Sequence, residues 1–349
     1  MKILAFYLPQ FHEIAENNDW WGKGFTDWTN VKKAKPLFDG HYQPLEPLND
    51  NYYDLDDIEV MKWQSKIAQD HGVYGFCYYH YWFNGKLLLE KPLENMLNDV
   101  DVTIPFCLSW ANEPWARTWD GQNSNVLMSQ EYGNEKEWRK HFDYLLLFFK
   151  DKRYIKEGNK PMMIIYKTMH IPRVDEMCEY WDELAKENGF DGLYIVETLG
   201  GVQNKPFLDI SKAAIEFEPN LTMNSVDKSI FSRIIRKINK INFNGLTIFN
   251  YDEIWERVFK RDPLRYKDKK LFLGGFVGWD NTARKGSKGT VFKGSNPYKF
   301  ELYIKKQIER STGRYLFINA WNEWAEGTYM EPDKRYNFSF LEAIKNVIK

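Results

Sequence analysis

Tyr315-Leu316-Phe317-Ile318-Asn319-Ala320-Trp321-Asn322-Glu323-Trp324-Ala325-Glu326 begins as an apolar run and ends in two carboxylates set among tryptophans. Residues 315–320 are too few for a globular helix and do not alternate apolar with polar, so they read as a strand apolar on both faces. Such a strand belongs to a parallel sheet with helices packed on its faces. Its polar load lies entirely at its C-terminal end. Burying a carboxylate there costs several kcal/mol, on the order of other unpaired polar burial, unless it is paired or neutralised.

Seven further runs share this character: residues 3–9, 73–79, 103–110, 162–166, 193–198, 213–217 and 271–277. Between them lie amphipathic stretches at residues 57–71, 138–150, 174–188, 229–238 and 298–310, and residues 340–348 close the chain. Eight strand–helix units without a composition break predict one (β/α)8 barrel, a TIM barrel with long βα loops, formed as a single catalytic domain over residues 1–349. A doubly wound sheet is the alternative, and no glycine-rich phosphate loop follows any strand to support it. Two segments exceed the usual loop length. Residues 11–56 carry Trp20, Trp21, Phe25, Trp28 and Tyr42, and are expected to pack over the C-terminal mouth. The segment 279–293 carries Arg284, Lys285, Lys288 and two glycines at 286 and 289, and is expected to form a mobile lid.

In this fold the active site lies at the C-terminal ends of the strands. The eight strand ends bring Gln10 and His12; Tyr79, His80 and Trp82; Trp110, Asn112, Glu113 and Arg117; Tyr166 and Lys167; Glu197; Glu216 and Glu218; Trp279, Asp280 and Asn281; and Asn322, Glu323, Trp324 and Glu326. Strand starts carry no comparable load. The candidate catalytic pair is Glu323 and Glu326, which share a face only where the chain turns helical after Asn322. Candidate substrate-binding residues are Glu113, His80, Tyr79, Trp110, Asn112, Trp279, Asp280, Asn322, Trp324, Trp28 and His12. Tyr79, His80, Trp110 and Trp324 are expected to wall one cavity, with Glu113 near enough to tune the pair. Paired carboxylates with aromatic faces suit glycosidic-bond chemistry, in which one group is an acid and the other ionised. Each also has a structural reading: His80 as a core histidine, Glu216 and Glu218 as a solvated loop face, and Asp99-Val100-Asp101 as a solvated turn on the opposite rim.

Composition agrees with a glycan partner. Aromatic residues make up 17% of the chain, with 14 Trp and 21 Tyr, many set among polar residues where sugar rings stack. A net charge of -1 offers no field for nucleic acid, and no stretch of 18 apolar residues predicts membrane insertion. Cys77, Cys107 and Cys178 lie in apolar runs and read as buried thiols, which fits a reducing, cytoplasmic setting. The N-terminus reads as a first strand stopped by Pro9, not as a signal peptide. No metal or cofactor is expected, and the oligomeric state is left open.

Asn112-Glu113-Pro114 resembles the acid/base motif of the large retaining glycosidase clan built on this barrel, where it follows the fourth strand; here it follows the third. Asn322-Glu323-Trp324-Ala325-Glu326-Gly327-Thr328 resembles the catalytic signature of glycoside hydrolase family 99, the endo-α-mannosidases and endo-α-mannanases. Over nearly its full length the chain is more similar still to the bacterial WbsX-type proteins, a family 99-like group often labelled glycosyltransferase. The segments 5–12 (AFYLPQFH), 20–28 (WWGKGFTDW), 75–83 (GFCYYHYWF) and 278–282 (GWDNT) carry that resemblance. It implies O-antigen or capsule polysaccharide as the setting. It also implies a retaining route: Glu323 deprotonates the sugar 2-hydroxyl, which attacks the anomeric carbon to form a 1,2-anhydro sugar. Glu326 protonates the leaving oxygen in that step, and then activates the incoming water or sugar hydroxyl. Ala325 stands where a bulkier residue, often histidine, is expected, so sugar contacts there differ. The rival readings are a glycosyltransferase using an activated donor, with Arg284, Lys285 and Lys288 gripping a phosphate, and a non-catalytic glycan-binding module.

Overall fold

The computed structural model describes residues 1–116, 126–225, 245–263, 266 and 268–349. All eight expected strands form: β1 (Lys2–Tyr7), β2 (Val73–Phe83), β3 (Phe106–Trp110), β4 (Lys160–Ile165), β5 (Tyr194–Leu199), β6 (Ala213–Glu216), β7 (Lys270–Phe276) and β8 (Tyr315–Asn319). Each pairs in parallel with the next, and β8 returns to β1 with Lys2 opposite Tyr315 and Ala5 opposite Ile318. The sheet is therefore a closed (β/α)8 barrel with no free edge among these strands.

Burial explains the continuous apolar strands. From Ile3 to Tyr7 every residue of β1 is buried, as is all of β3 and β8, because one face fills the barrel and the other meets helices. The helices are α1 (Ala15–Trp21), α2 (Asp27–Lys33), α3 (Ile58–Asp70), α4 (Lys91–Asn98), α5 (Glu135–Phe149), α6 (Val174–Glu187), α7 (Asn220–Ser225), α8 (Tyr251–Lys260), α9 (Thr282–Lys285), α10 (Pro297–Arg310) and α11 (Ser339–Ile348). Helix α8, which buries Tyr251, Ile254, Trp255 and Val258, is absent from the sequence reading. The helix expected at residues 229–238 lies outside the described residues, as does Arg117. The described helices include none long and apolar enough to cross a membrane.

Two departures shape the mouth. First, β2 overshoots the barrel: Tyr81–Phe83 pair with Lys86–Leu88 across Asn84-Gly85, both at positive φ, as a tight two-residue hairpin requires. Second, residues 11–56 fold over the C-terminal end as expected. The Asp27 amide donates to the Gln10 carbonyl at 3.0 Å and the Leu55 amide to the Phe11 carbonyl at 3.0 Å. The Trp28 ring lies 5.3 Å from that of Trp324. Asp99 and Asp101 meet Lys62 at 3.1 and 3.6 Å before β3, in keeping with a solvated turn.

Candidate active site

The chain leaves β8 through Ala320 and Trp321, forms a two-residue bridge at Asn322–Glu323 against Thr328–Tyr329, and turns in a 3-10 helix at Trp324–Glu326. That turn brings Glu323 and Glu326 to one side, as their spacing required. Gly327 ends it at φ 61°, and a Cβ there would lie 2.7 Å from the Asp280 Cβ, so only glycine fits.

Arg284 joins the two glutamates. Its Nη1 lies 2.6 Å from Glu326 Oε1, and its Nη2 lies 3.5 Å from Glu323 Oε2 and 3.0 Å from Asp27 Oδ2. Asp27 is fully buried at the first turn of α2. Three carboxylates thus share one guanidinium. Burial, reinforced by the Glu326 charge and opposed by Arg284, pushes Glu323 up to about 8. Its Oε2 is buried and receives no hydrogen bond from any described protein donor. Once ionised, such an oxygen can accept a substrate proton.

A cleft of about 720 Å³ opens above the pair. Tyr79, Tyr81, Trp115, Tyr166, Phe217 and Trp279 supply its aromatic walls. Gln10, Asn17, Asn220, Asn281 and Asn319 supply polar lining, with Lys285 also on the wall. This is the aromatic-plus-amide lining that a sugar ring uses, apolar on its faces and hydroxylated at its edge.

Of the candidates, Glu323, Glu326, Tyr79, Trp279 and Glu113 line the cleft. Glu113 sits half-exposed at the rim, 3.7 Å from Lys167. The charges acting on Glu323 are those of Glu326, Arg284 and Asp27, so the expected tuning by Glu113 is replaced by Asp27 and Arg284. The remaining eight do not line the described cleft. Strand parity explains His80: in β2, Tyr79 and Tyr81 face the cleft while His80 faces outward and meets His141 of α5 at 2.8 Å. Trp110 likewise packs outward, against His141 and Trp181.

Two asparagines do mechanical work. The Asn112 amide accepts from the Lys167 amide at 2.8 Å and donates to its carbonyl at 2.9 Å. Asn322 does the same to Leu8, at 2.8 and 3.0 Å. Each side chain imitates a strand edge and ties one strand end to its neighbour. Asp280 is held by His41 at 2.7 Å and Gln43 at 2.8 Å, and braces the turn through its amide to the Glu326 carbonyl. Trp28 donates to the Tyr53 carbonyl, and His12 is buried with its pKa lowered by desolvation.

The basic segment also differs from expectation. Arg284 belongs to α9, its side chain is 6% exposed, and three carboxylates hold it in the site. Asp280 Oδ1 caps α9 by accepting from the Thr282 amide and hydroxyl. Sequence reasoning missed Asp27 and misplaced Arg284. No short-range pattern distinguishes either from an ordinary helix-end charge, although Asp27 lies within the tryptophan-rich segment 20–28.

Residues 3–344 match a family model described as Glycosyltransferase WbsX. The chain belongs to this WbsX family. Two proteins, each named uncharacterized protein WxcX, from Xanthomonas campestris pv. campestris strains B100 and ATCC 33913, are 36% identical over 353 residues. The alignment covers 99% of this chain and 49% of each relative. This WbsX chain therefore spans about half the length of the curated relatives it matches. The endo-alpha-mannosidase of glycoside hydrolase family 99 from Bacteroides thetaiotaomicron superposes with a TM-score of 0.59 at 14% identity, covering 99% of this chain and 96% of that one. A solved glycoside hydrolase-like protein gives 0.63 at 13% identity, with 100% and 94% covered. The WbsX chain thus shares the fold of family 99 and belongs to a carbohydrate-active family.

Behind the WbsX site a further buried glutamate, Glu331, holds the turn. Glu331 Oε2 accepts from Trp324 Nε1 at 2.6 Å and the Tyr53 hydroxyl at 2.8 Å, and Oε1 accepts from Gln64 at 2.7 Å. Trp324 stands between the catalytic candidates, so Glu331 positions both. Burial pushes Glu331 up to about 7 from the usual 4.5. The folded protein then binds a proton more tightly than the unfolded chain. This contribution to stability is present below the unfolded value and is lost as pH rises through about 7. Glu331→Gln is expected to cost ~1–3 kcal/mol by leaving a buried donor poorly paired, and to flatten that slope. Urea unfolding at pH 5 and pH 8 measures both, and an unchanged slope would remove Glu331 from this role.

Proposed function

We propose that the barrel catalyses retaining glycosyl chemistry on an α-linked glycan, with Glu323 as base and Glu326 as acid. The observation that carries this reading is the Arg284-bridged pair of Glu323 and Glu326 at the floor of an aromatic cleft. Glu323 takes the proton of the sugar 2-hydroxyl. The freed oxygen attacks the anomeric carbon, and the bond to the leaving oxygen breaks as Glu326 protonates it. Glu326 then removes a proton from the incoming hydroxyl as that oxygen opens the 1,2-anhydro ring, and Glu323 returns its proton to the 2-oxygen. Two displacements at one carbon give net retention. A carboxylate with a raised pKa is a stronger base once ionised, closer to the basicity of an alkoxide. Burial of Glu323 supports the role on that ground, and Glu326, paired with Arg284 in the free site, takes up a proton before the first step. The α linkage is supported by the fold shared with proteins titled endo-alpha-mannosidases. We take the substrate to be a bacterial surface polysaccharide or its oligosaccharides, and the setting to be cytoplasmic.

Glycosyl transfer from an activated donor is the second reading, favoured by the family's description. Of the three cations expected to grip a donor phosphate, Arg284 is already engaged by carboxylates, and Lys285 alone lines the cleft besides it. The test is turnover of α-linked mannan oligosaccharides, with and without nucleotide-linked or lipid-linked sugar. Proton NMR follows the product anomer. Release of the α-anomer from glycan alone is expected. Activity only with an activated donor would replace hydrolysis by transfer, and a β-anomer as first product would overturn retention.

A further inference from the structure

A second groove, of about 310 Å³, runs beside the catalytic cleft and shares Trp279 with it. Phe38, Tyr42, Trp279 and Tyr336 line it, all only partly buried. Gly40, Gly278, Gly294 and Gly327 line it too, so backbone rather than side chain forms much of its surface. Its floor is rigid: His41 stacks on Phe38 at 4.4 Å between centroids and meets Asp280 at 2.7 Å. Asp280 is fully engaged by His41, Gln43 and Thr282.

The rim is cationic. The Arg335 guanidinium lies 4.8 Å from the Tyr42 ring centroid and 5.0 Å from that of Tyr336, and Lys293 lies 5.8 Å from that of Phe38. Both cations are exposed, and neither has a carboxylate oxygen within ion-pair distance among the described residues. The nearby acids are occupied: Asp280 as above, and Asp333 by the Tyr329 hydroxyl and the Tyr336 amide. Aromatic faces with two exposed cations that form no ion pair among the described residues match a sugar ring that carries an anionic group.

We propose that this groove is a second saccharide subsite. It holds an acidic sugar unit of the same glycan chain that occupies the catalytic cleft, with Trp279 as the shared platform between them. Trp279 lines both cavities, so a chain leaving the cleft over that ring would enter the groove. The proposal rests on the cleft being a glycan site, and makes the substrate an acidic polysaccharide bound internally. The acidic group meets Arg335 and Lys293, while the ring faces meet Tyr42 and Trp279.

The test pairs two α-1,4-linked tetrasaccharides, tetragalacturonate as the acidic probe and maltotetraose as the neutral one. Binding is measured by calorimetry at low and high salt. Tetragalacturonate is expected to bind about tenfold more tightly, with the preference lost at high salt. Arg335→Ala with Lys293→Ala should remove the preference, and Tyr42→Ala should weaken both ligands. Binding is read here without turnover, whereas the catalytic assignment is read by turnover of Glu323→Gln, so failure of this subsite is separable from failure of that assignment. Equal affinities, a preference that survives the double substitution, or no binding of the acidic probe would each overturn the proposal.

Discussion

Glu323→Gln and Glu326→Gln are each expected to lower turnover by about 10²–10⁴-fold, the usual consequence of losing a positioned acid or base. Both variants should fold, because neither glutamate ties the barrel together: Asn322 and Glu331 perform that task on either side. Glutamine keeps the shape of the site and removes the titratable group. The pH profile separates the two roles. With Glu323 pushed up to about 8 and acting as base, kcat/KM of the native protein should rise through pH 7 and level above about 8. The acid limb should be missing from whatever activity Glu323→Gln retains. Full activity in both variants on the true substrate would remove the pair from the chemistry. A limb unchanged in Glu323→Gln would assign it to another group.

The second large effect concerns Arg284. Its guanidinium draws the Glu323 pKa down, and it offsets the charges of Asp27 and Glu326. Arg284→Met strands the fully buried Asp27 carboxylate. Breaking a buried pair by removing one partner costs ~3–5 kcal/mol, and that loss is expected here in denaturant unfolding. Any residual activity should show its acid limb displaced to higher pH, because the charge that lowers the Glu323 pKa is gone. Adding Asp27→Asn should restore much of the stability by removing the uncompensated charge, while activity stays low. If Arg284→Met unfolds like the native protein with its acid limb in place, the guanidinium is not the counter-charge described.

The barrel was legible because its strands have no solvent face. Residues buried on both sides of a parallel sheet leave continuous apolar runs, and the long runs bounded each strand to within a few residues. The mouth segment 11–56 was legible from its tryptophans, which have no reason to lie in disordered chain. Helix α8 escaped notice, although Ile254, Trp255 and Val258 have helical spacing, because it follows a stretch of mixed composition.

The site divides along a different line. Two glutamates three residues apart at the end of an apolar strand pointed to themselves, since their spacing and their neighbours are local facts. Tyr79 and Trp279 also reached the cleft as expected. His80 did not, because a strand sends neighbouring side chains to opposite faces, and only the closed barrel decides which face is the inside. Asn112 and Asn322 looked like sugar ligands, yet their amides clasp the adjoining chain, a contact that exists only once strands three and four, and eight and one, stand side by side. Arg284 and Asp27 are 257 residues apart and meet over Glu323 and Glu326. Local sequence thus determined the strands, their order of polarity and the catalytic candidates. Tertiary structure alone decided which side chains face the cleft and which cation sets the charge of the pair, because facing and pairing depend on distances that no spacing along the chain records.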